Sequence, residues 1–193
     1  MAKKILIIKG HPNKVSFNFA LAEAYKKGAL ESGADIQEII ISELDFNPNL
    51  EFGYQKIQAL EPDLLVALEK IRWAEHIVWV HPVWWGGFPA IMKGFIDRLF
   101  VPTIAFKYRP NSIFWDKLFK GRTAHIITTL DQPSWYYRFV YGRPSVNQLR
   151  KSILEFCGIS PVKVTYVGVI RNSTELQRDK WVQQIFDLGR RLK

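Results

Sequence analysis

Cysteine is almost absent from the sequence: Cys157 is the only one among 193 residues. A single cysteine excludes an internal disulfide, and the paired-cysteine and HExxH spacings of common zinc sites are missing too, so we expect no structural metal. No apolar run approaches the roughly 18 residues that a membrane span requires. The first strongly apolar stretch, residues 5–8, is too short for the core of a signal peptide. The sequence therefore predicts a cytoplasmic protein without membrane insertion.

Charge is not concentrated anywhere along the chain. There are 27 lysines and arginines against 18 aspartates and glutamates, a formal net charge of +9, but the basic residues are scattered rather than gathered into an arm or stripe. This distribution disfavours nucleic-acid binding, although a basic balance also attracts anionic small molecules. With 48% hydrophobic and 23% charged residues, the composition excludes a disordered or fibrous protein and predicts one domain over residues 1–193.

Short β-branched runs alternate with helical patterns along the whole chain. Strands are predicted at residues 3–9, 36–41, 76–80, 123–129 and 162–170. Helices are predicted from Ser16, from Pro62, from Pro89, at residues 146–157 and at residues 174–192. This alternation, with right-handed crossovers, predicts an α/β fold: a flavodoxin-like, five-stranded parallel sheet of order 2-1-3-4-5 with helices on both faces.

The loop after the first strand, residues 10–18, is a candidate phosphate site. In an open parallel sheet a ligand binds beyond the carboxyl ends of the strands, here between strands one and three. This loop delivers a helix N-terminus there, with Ser16 as N-cap, and the free N–H groups of such a terminus favour an anion. Ser16 and Asn18 can add hydrogen bonds, and His11 and Lys14 can add charge or a donor. The alternative is an ordinary capped helix.

That loop carries neither the glycine fingerprint of dinucleotide-binding dehydrogenases nor a P-loop motif, so both of those nucleotide sites are disfavoured. The chain also has no G-x-S-x-G elbow and no evident Ser/His/Asp arrangement, which argues against a hydrolase. His76 and His125 fall at the starting ends of their strands and are predicted to be structural. His81 is closer to the predicted site and is expected to orient its loop.

The loop after the third strand, residues 81–88, is rich in tryptophan and glycine. Trp84 and Trp85 lie between Pro82 and the pair Gly86-Gly87, which combines flat apolar faces with a backbone that a ligand can approach closely. A planar heteroaromatic ring would fit this loop. The alternative is core or interface packing of both indoles, which is disfavoured because adjacent residues of an extended loop point in opposite directions and cannot both enter the same core.

Residues from Thr129 onward, after the fourth strand, are predicted to form a long aromatic loop. It holds four aromatic side chains within five residues: Trp135, Tyr136, Tyr137 and Phe139. We expect this aromatic surface to be covered by a ligand, by the rest of the chain or by a second subunit.

Three motifs together point to a family. His11-Pro12 is followed by residues 16–18 (SFN), the run from Pro82 to Gly86 (PVWWG) continues through residues 88–100, and residues 153–158 read ILEFCG. With these motifs the sequence resembles, over nearly its whole length, the flavodoxin-like NAD(P)H:quinone oxidoreductase family, which comprises the DT-diaphorase-like proteins and their shorter bacterial relatives.

The resemblance implies a flavoenzyme that is a homodimer with its site at the interface. In this family hydride passes from NAD(P)H to a bound flavin, the nicotinamide leaves, and a quinone or similar small acceptor follows, so ping-pong kinetics are expected. FAD is the expected cofactor, while FMN and the choice between NADH and NADPH stay open. The residues implied in flavin binding are His11, Ser16, Phe17, Asn18, Pro82, Val83, Trp84, Trp85, Gly86, Thr128, Thr129, Leu130 and Asp131.

Two departures from the family pattern concern the acceptor side. Leu130-Asp131 stands where larger members carry a glycine pair after the two threonines, so the backbone path beside the flavin is expected to differ. Of the family's catalytic tyrosine and histidine, only the tyrosine is matched, by Tyr136, with Tyr141 as a substitute for the histidine. A phenol there can hydrogen-bond the charge that develops on the reduced flavin or the acceptor oxygen.

Other functions stay open on the sequence. A one-electron carrier of the flavodoxin type is disfavoured because such carriers are usually acidic, whereas this chain has a net charge of +9. Some short relatives serve as ancillary subunits of potassium-efflux systems. A flavin-binding regulatory subunit of a membrane transport system is therefore the alternative to an enzyme.

Overall fold

A computed structural model describes residues 2–192. In chain order its elements are β1 (Lys4–Lys9), α1 (Phe17–Glu31), β2 (Asp35–Ile40), α2 (Pro62–Trp73), β3 (His76–Pro82), α3 (Ala90–Leu99), β4 (Phe106–Tyr108), β5 (Trp115–Lys117), β6 (Thr123–Leu130), α4 (Ser134–Phe139), α5 (Pro144–Asn147), β7 (Val162–Gly168) and α6 (Glu175–Arg190). A 3₁₀ turn, Ile41–Glu43, follows β2, and a π-helical segment, Gln148–Glu155, continues α5.

Five strands form one parallel sheet in the order β2-β1-β3-β6-β7. When the short antiparallel hairpin of β4 and β5 is set aside, this is the predicted order 2-1-3-4-5, so the flavodoxin-like fold is confirmed. The chain leaves β1 toward β2 on one side and returns to β3 on the other. The carboxyl ends of β1 and β3 therefore bound the crevice in which such sheets bind ligands.

Alternate residues of the central strands contribute to two apolar cores, one on each face of the sheet. The core shared with α2 and α3 takes Leu6, Ile8, Ile77 and Trp79. The core shared with α1 and α6 takes Ile5, Ile7, Val78 and Val80. The central strands are continuously apolar because both of their faces are covered, and such runs predict buried strands from the sequence.

Helices α1 and α6 pack together at a pair of glycines. A β-carbon on Gly28 would lie 2.0 Å from the carbonyl oxygen of Phe186, and one on Gly189 would lie 2.1 Å from the carbonyl oxygen of Tyr25. Only glycine fits at so close an approach of two backbones. At the start of α1, Phe17 contacts Trp181 of α6, with ring centroids 6.2 Å apart. Helix α6 thus supports the loop that enters α1.

Several local predictions need correction. The aromatic segment predicted as a loop contains the six-residue helix α4, which is too short to show a helical period in the sequence. The last strand ends at Gly168 rather than at residue 170. The predicted helix at residues 146–157 begins earlier, at Pro144, where proline suits a first helical turn, and its middle is π-helical. The hairpin of β4 and β5 was not predicted.

No helix within residues 2–192 has both the length and the apolarity to span a bilayer. The single domain predicted for residues 1–193 stays a prediction, and its first and last residues lie outside the described part of the chain.

Replacing Gly189 by alanine is expected to lower the free energy of unfolding by about 2 kcal/mol, because the added methyl group meets the backbone of α1. The sign is informative, since a glycine-to-alanine change inside a helix ordinarily stabilises it by about 1 kcal/mol. Urea denaturation followed by circular dichroism measures the effect. Gly87→Ala is the matched control, because a β-carbon there meets only ordinary contacts, at 3.6 Å. Equal stability of the two variants would contradict the close packing of α1 and α6.

Candidate active site

Three loops meet at the carboxyl edge of the sheet. The N–H of Gly10 donates to the carbonyl of Val80 at 2.9 Å, and the N–H of Val83 donates to the carbonyl of Thr129 at 2.9 Å. These bonds hold the loops together just beyond the strands. Between them lies a cavity of about 180 Å³, the first cavity, which is lined by His11, Ser16, Phe17, Asn18, Pro82, Val83, Trp84, Thr129, Leu130, Asp131 and Ile170.

Ser16 gives the first cavity an unused hydrogen-bonding group. It is the N-cap residue of α1, as predicted, but its side chain makes no capping bond. Its hydroxyl oxygen is buried and has no partner among residues 2–192. The first N–H groups of a helix also lack acceptors within the helix. A buried polar group left unpaired costs about 1–3 kcal/mol, so a bound anion that paired with these groups would be stabilised.

Asn18 and Thr129 connect the first loop to β6. The amide nitrogen Nδ2 of Asn18 donates to Oγ1 of Thr129 at 3.2 Å, and both side chains are buried. This bond holds the start of α1 against β6. Lys14, in contrast, is ion-paired with Glu43 and does not line the first cavity, so its charge is already compensated.

His11 supplies a donor rather than a charge. Its Nδ1 accepts the N–H of Asn13 at 2.9 Å, which leaves the ring proton on Nε2. Burial lowers the pKa of His11 below its usual value, so the imidazole is neutral at pH 7. The ring stands edge-to-face with Trp84, at 5.3 Å between centroids. This contact joins the first loop to the tryptophan loop.

The tryptophan loop is a tight turn that presents both indoles outward. The N–H of Trp84 donates to the carbonyl of Gly87 at 2.9 Å, and the reverse bond is 2.8 Å. The two central residues have positive φ, 51° at Trp85 and 78° at Gly86, as in a type I′ turn. Trp85 is fully exposed and Trp84 is 44% exposed. Core packing of this pair is therefore wrong, while packing at an interface stays open as the alternative.

A second cavity, of about 250 Å³, lies beside the first. It is lined by Val83, Trp85, Gly86, Leu130, Asp131, Gln132, Tyr137 and Tyr141. Val83, Leu130 and Asp131 line both cavities and form the wall between them. Gln132 and Tyr137 here, and Ile170 in the first cavity, were not predicted as site residues.

Tyr137 is buried against that wall. Its hydroxyl group shares a hydrogen bond of 2.6 Å with the hydroxyl of Ser145, and it packs with Leu130 and Val146 in a small apolar cluster. Tyr136, the neighbour singled out by the sequence, instead packs on Tyr141 with ring centroids 5.4 Å apart. Tyr141 lines the second cavity, whereas Tyr136 lines neither cavity.

Thr128 is also set apart from its predicted neighbours. It is fully buried, and its hydroxyl oxygen has no partner among the described residues. It lines neither cavity, unlike Thr129. Adjacent residues of a strand point to opposite faces, so the two threonines cannot both project to the same side of the sheet.

Known proteins resemble this chain over most of its length. A family model described as flavodoxin-like fold matches residues 3–187. An NAD(P)H oxidoreductase from Haemophilus influenzae is 30% identical over 171 residues, covering 86% of this chain and 83% of the relative. The rat NAD(P)H dehydrogenase [quinone] 1 is 27% identical over 194 residues, covering 86% of this chain and 70% of the relative. This chain belongs to the flavodoxin-like NAD(P)H:quinone oxidoreductase family.

Membership identifies the chain as an oxidoreductase of this type. Among solved structures, an FMN-dependent NADH-azoreductase from Bacillus anthracis, in complex with FMN, matches with a TM-score of 0.78. The match covers 100% of this chain and 99% of the azoreductase at 18% sequence identity. At that identity the likeness shows the shared fold alone.

The departure from the family at Leu130-Asp131 shapes this oxidoreductase site. The carbonyl of Leu130 accepts the N–H of Ile170 at 3.0 Å, and Oδ1 of Asp131 accepts the N–H of Arg171 at 3.0 Å. Both bonds draw the loop after β7 toward the first cavity. Ile170, predicted inside a strand, thereby becomes part of the cavity wall.

The remaining histidines of this family member have structural roles. His76 Nδ1 is 2.6 Å from Thr123 Oγ1, and His125 Nε2 is 2.8 Å from Thr165 Oγ1, far along their strands from the cavities. His81 is fully buried, and its Nδ1 donates to the carbonyl of Pro82 at 2.9 Å. Among residues 2–192, no group of three or more His, Cys, Asp and Glu side chains could hold a metal ion.

The burial of His81 makes stability depend on pH. Burial lowers its pKa to about 4 in the folded chain, against about 6.5 for an unfolded chain. Below pH 6.5 the unfolded chain therefore binds more protons, so this stabilisation is complete above pH 6.5 and is lost as the pH falls toward 4. The loss attributable to His81 should reach about 2 kcal/mol at pH 5.

Urea denaturation at a series of pH values tests this expectation. His81→Gln should flatten the dependence of the unfolding free energy on pH, whatever its effect at neutral pH. His11→Gln is the control, because His11 is only partly buried and should contribute far less. Parallel pH profiles for wild type and His81→Gln would contradict the assignment.

Proposed function

We propose that this chain is an NAD(P)H-dependent flavin oxidoreductase that reduces quinones or similar small acceptors by a ping-pong mechanism. The observation that carries the proposal is the unpartnered, buried Ser16 hydroxyl at the start of α1, in one cavity with Trp84. This pairs an anion-binding end with a flat aromatic surface. A flavin nucleotide has a phosphate and a planar ring to match both.

The residues present fit such a cofactor. The Ser16 hydroxyl and the first N–H groups of α1 would hold its phosphate, with His11 as a neutral donor. Trp84 and the backbone from Pro82 onward would lie along its ring system. The chemistry that a bound flavin would supply is hydride transfer: it would take a hydride from NAD(P)H and pass it, together with a proton, to an acceptor. We propose FAD as the cofactor, on the family resemblance, with FMN as the alternative.

The second cavity is proposed as the place where NAD(P)H and the acceptor bind in turn. It adjoins the first cavity across Val83, Leu130 and Asp131, so a small aromatic molecule there would lie next to a ring held by the first. Tyr141 lines the second cavity, and Tyr136 packs against the ring of Tyr141. We propose Tyr141 as a catalytic residue that hydrogen-bonds the acceptor oxygen as negative charge develops on it. Tyr136, the tyrosine that the family resemblance implies, is proposed to act through Tyr141 by positioning its ring.

We further propose a homodimer with the site at the interface. Large apolar side chains of the tryptophan loop and of the aromatic segment after β6 are exposed: Trp85, Trp135, Phe139, Val140 and Tyr141. An exposed patch of this kind is typical of a protein interface, and a second copy of the chain would cover it and exclude water from the site. No nucleic-acid partner is proposed. The cytoplasmic location stays a prediction.

The flavin assignment is tested by the visible absorption spectrum of the purified protein, before and after anaerobic addition of NADPH or NADH. A yellow protein that bleaches is expected. Ser16→Ala should weaken flavin binding about tenfold, the effect of losing one hydrogen bond to a charged group. Ser160→Ala is the control and should leave flavin binding unchanged, because Ser160 is exposed and lies just before the amino end of β7, away from the cavities at the carboxyl ends. A colourless protein that takes up neither FAD nor FMN would overturn the proposal.

The proposed roles of the two tyrosines are tested by stopped-flow kinetics of the two half-reactions. Tyr141→Phe should slow reoxidation by a quinone about tenfold or more, because the donor to the acceptor oxygen is removed. Tyr136→Phe keeps the ring that packs on Tyr141 and should slow reoxidation less. Bleaching by NADPH should change far less. Tyr54→Phe, at an exposed phenol that lines neither cavity, is the control. Unchanged reoxidation in both variants would remove the proposed role.

A further inference from the structure

The second cavity has one charged side chain among its described lining residues. That residue is Asp131. The other lining side chains are aliphatic or aromatic, apart from the neutral amide of Gln132. In a mostly apolar cavity a single carboxylate dominates the local electrostatic potential, because few other groups compete with its field.

This carboxylate is not neutralised by a cation. Its Oδ1 accepts the backbone N–H of Arg171, and within residues 2–192 no ion pair involves Asp131. The two nearest arginines in sequence are directed elsewhere. The guanidinium of Arg138 lies 5.7 Å from the ring centre of Phe139, and that of Arg122 donates to the carbonyls of Ile71 and Arg72.

Aromatic rings surround the same space. Trp85, Tyr137 and Tyr141 all line the second cavity. The face of an aromatic ring attracts a cation and repels an anion, because its electron density is concentrated there. Three rings and a carboxylate therefore act in the same direction on a charged ligand. This combination is one that proteins use to bind quaternary nitrogen.

We propose that the second cavity selects flat aromatic ligands that are positively charged or neutral, and rejects those that carry a sulfonate or carboxylate. The inference rests on the proposed function, since it names the class of acceptor for that site. N-alkylated heteroaromatic cations and uncharged quinones belong to the accepted class. Sulfonated quinones and sulfonated azo compounds belong to the rejected one.

The proposed preference of the second cavity for cations is opposite to the attraction of anions by the net charge of the chain. A net charge of +9 attracts anions at long range, and salt screens that attraction over about 10 Å. A contact between Asp131 and a bound ligand is screened much less. Raising the salt concentration should therefore weaken any general preference for anions and leave the preference of the second cavity in place.

The test uses three bicyclic aromatic probes of matched size on the full-length, flavin-saturated protein: N-methylquinolinium, quinoline and naphthalene-2-sulfonate. Equilibrium dialysis near pH 8, at low and high salt, gives a dissociation constant for each without any turnover. At high salt the expected order of affinity is cation first, neutral second, anion last. An anion that binds as well as the cation would overturn the proposal.

Asp131→Asn is the decisive variant, because asparagine keeps an oxygen to accept the N–H of Arg171 and loses only the charge. It should weaken binding of the cation about three- to tenfold, strengthen binding of the anion by a similar factor and leave the neutral probe within about twofold. Asp35→Asn is the matched control: it makes the same change in net charge at an exposed position on the amino end of β2. Its affinities should match those of wild type.

Two results would overturn the role of Asp131. Equal shifts in Asp131→Asn and Asp35→Asn would mean that net charge decides, and equal losses for all three probes would mean that Asp131 only shapes the cavity. Trp85→Leu gives an independent check and should weaken the cation more than the neutral probe. The dialysis needs no reducing agent, so its outcome is separate from the bleaching by NAD(P)H that tests the proposed function.

Discussion

The parallel pairing of β1 with β3 is the constraint on which the site depends. The register from Ile5 opposite His76 to Lys9 opposite Val80 brings the carboxyl ends of both strands to the same edge of the sheet, with β3 running two residues further, and the bond from Gly10 to Val80 extends the pairing by one residue. The loop that enters α1 and the tryptophan loop must then emerge side by side, although about 70 residues separate them in sequence. A slip of one residue would turn every buried side chain of either strand to the wrong face.

The two cavities divide the chemistry between them. The first is built around polar groups at a helix N-terminus, where we propose that an anion binds, and the second is built from aromatic rings and one carboxylate, where we propose that a cation is preferred. Their shared wall of Val83, Leu130 and Asp131 keeps these opposite fields a few side chains apart. Leu130 and Asp131 are also the residues at which the family resemblance implies a departure from the larger members. That position falls on the boundary between the two cavities and lies outside the proposed phosphate end.

Much of this arrangement could be predicted from the sequence. The buried strands are continuous apolar runs, and the residues of the first cavity stand in loops of unusual composition, so both signals are local. Local sequence could not show which of Tyr136 and Tyr137 lines the second cavity, because that depends on the conformation of the segment. The family resemblance favoured Tyr136 in a segment predicted to be a loop, but the segment is a helix, in which neighbours differ by about 100° in direction. Thr128 could have been excluded, because strand alternation allows only one of two adjacent threonines to project to a given face.

The packing of α1 against α6 has a consequence for the order in which the protein is made. The residues that begin α1 are synthesised early, yet Phe17 is supported by Trp181, and Gly28 is matched to the backbone of Phe186. A nascent chain can pair β1 with β3 after about 80 residues, but α6 is synthesised about 100 residues later. Until α6 has left the ribosome, the loop that enters α1 lacks its support and cannot reach its final geometry.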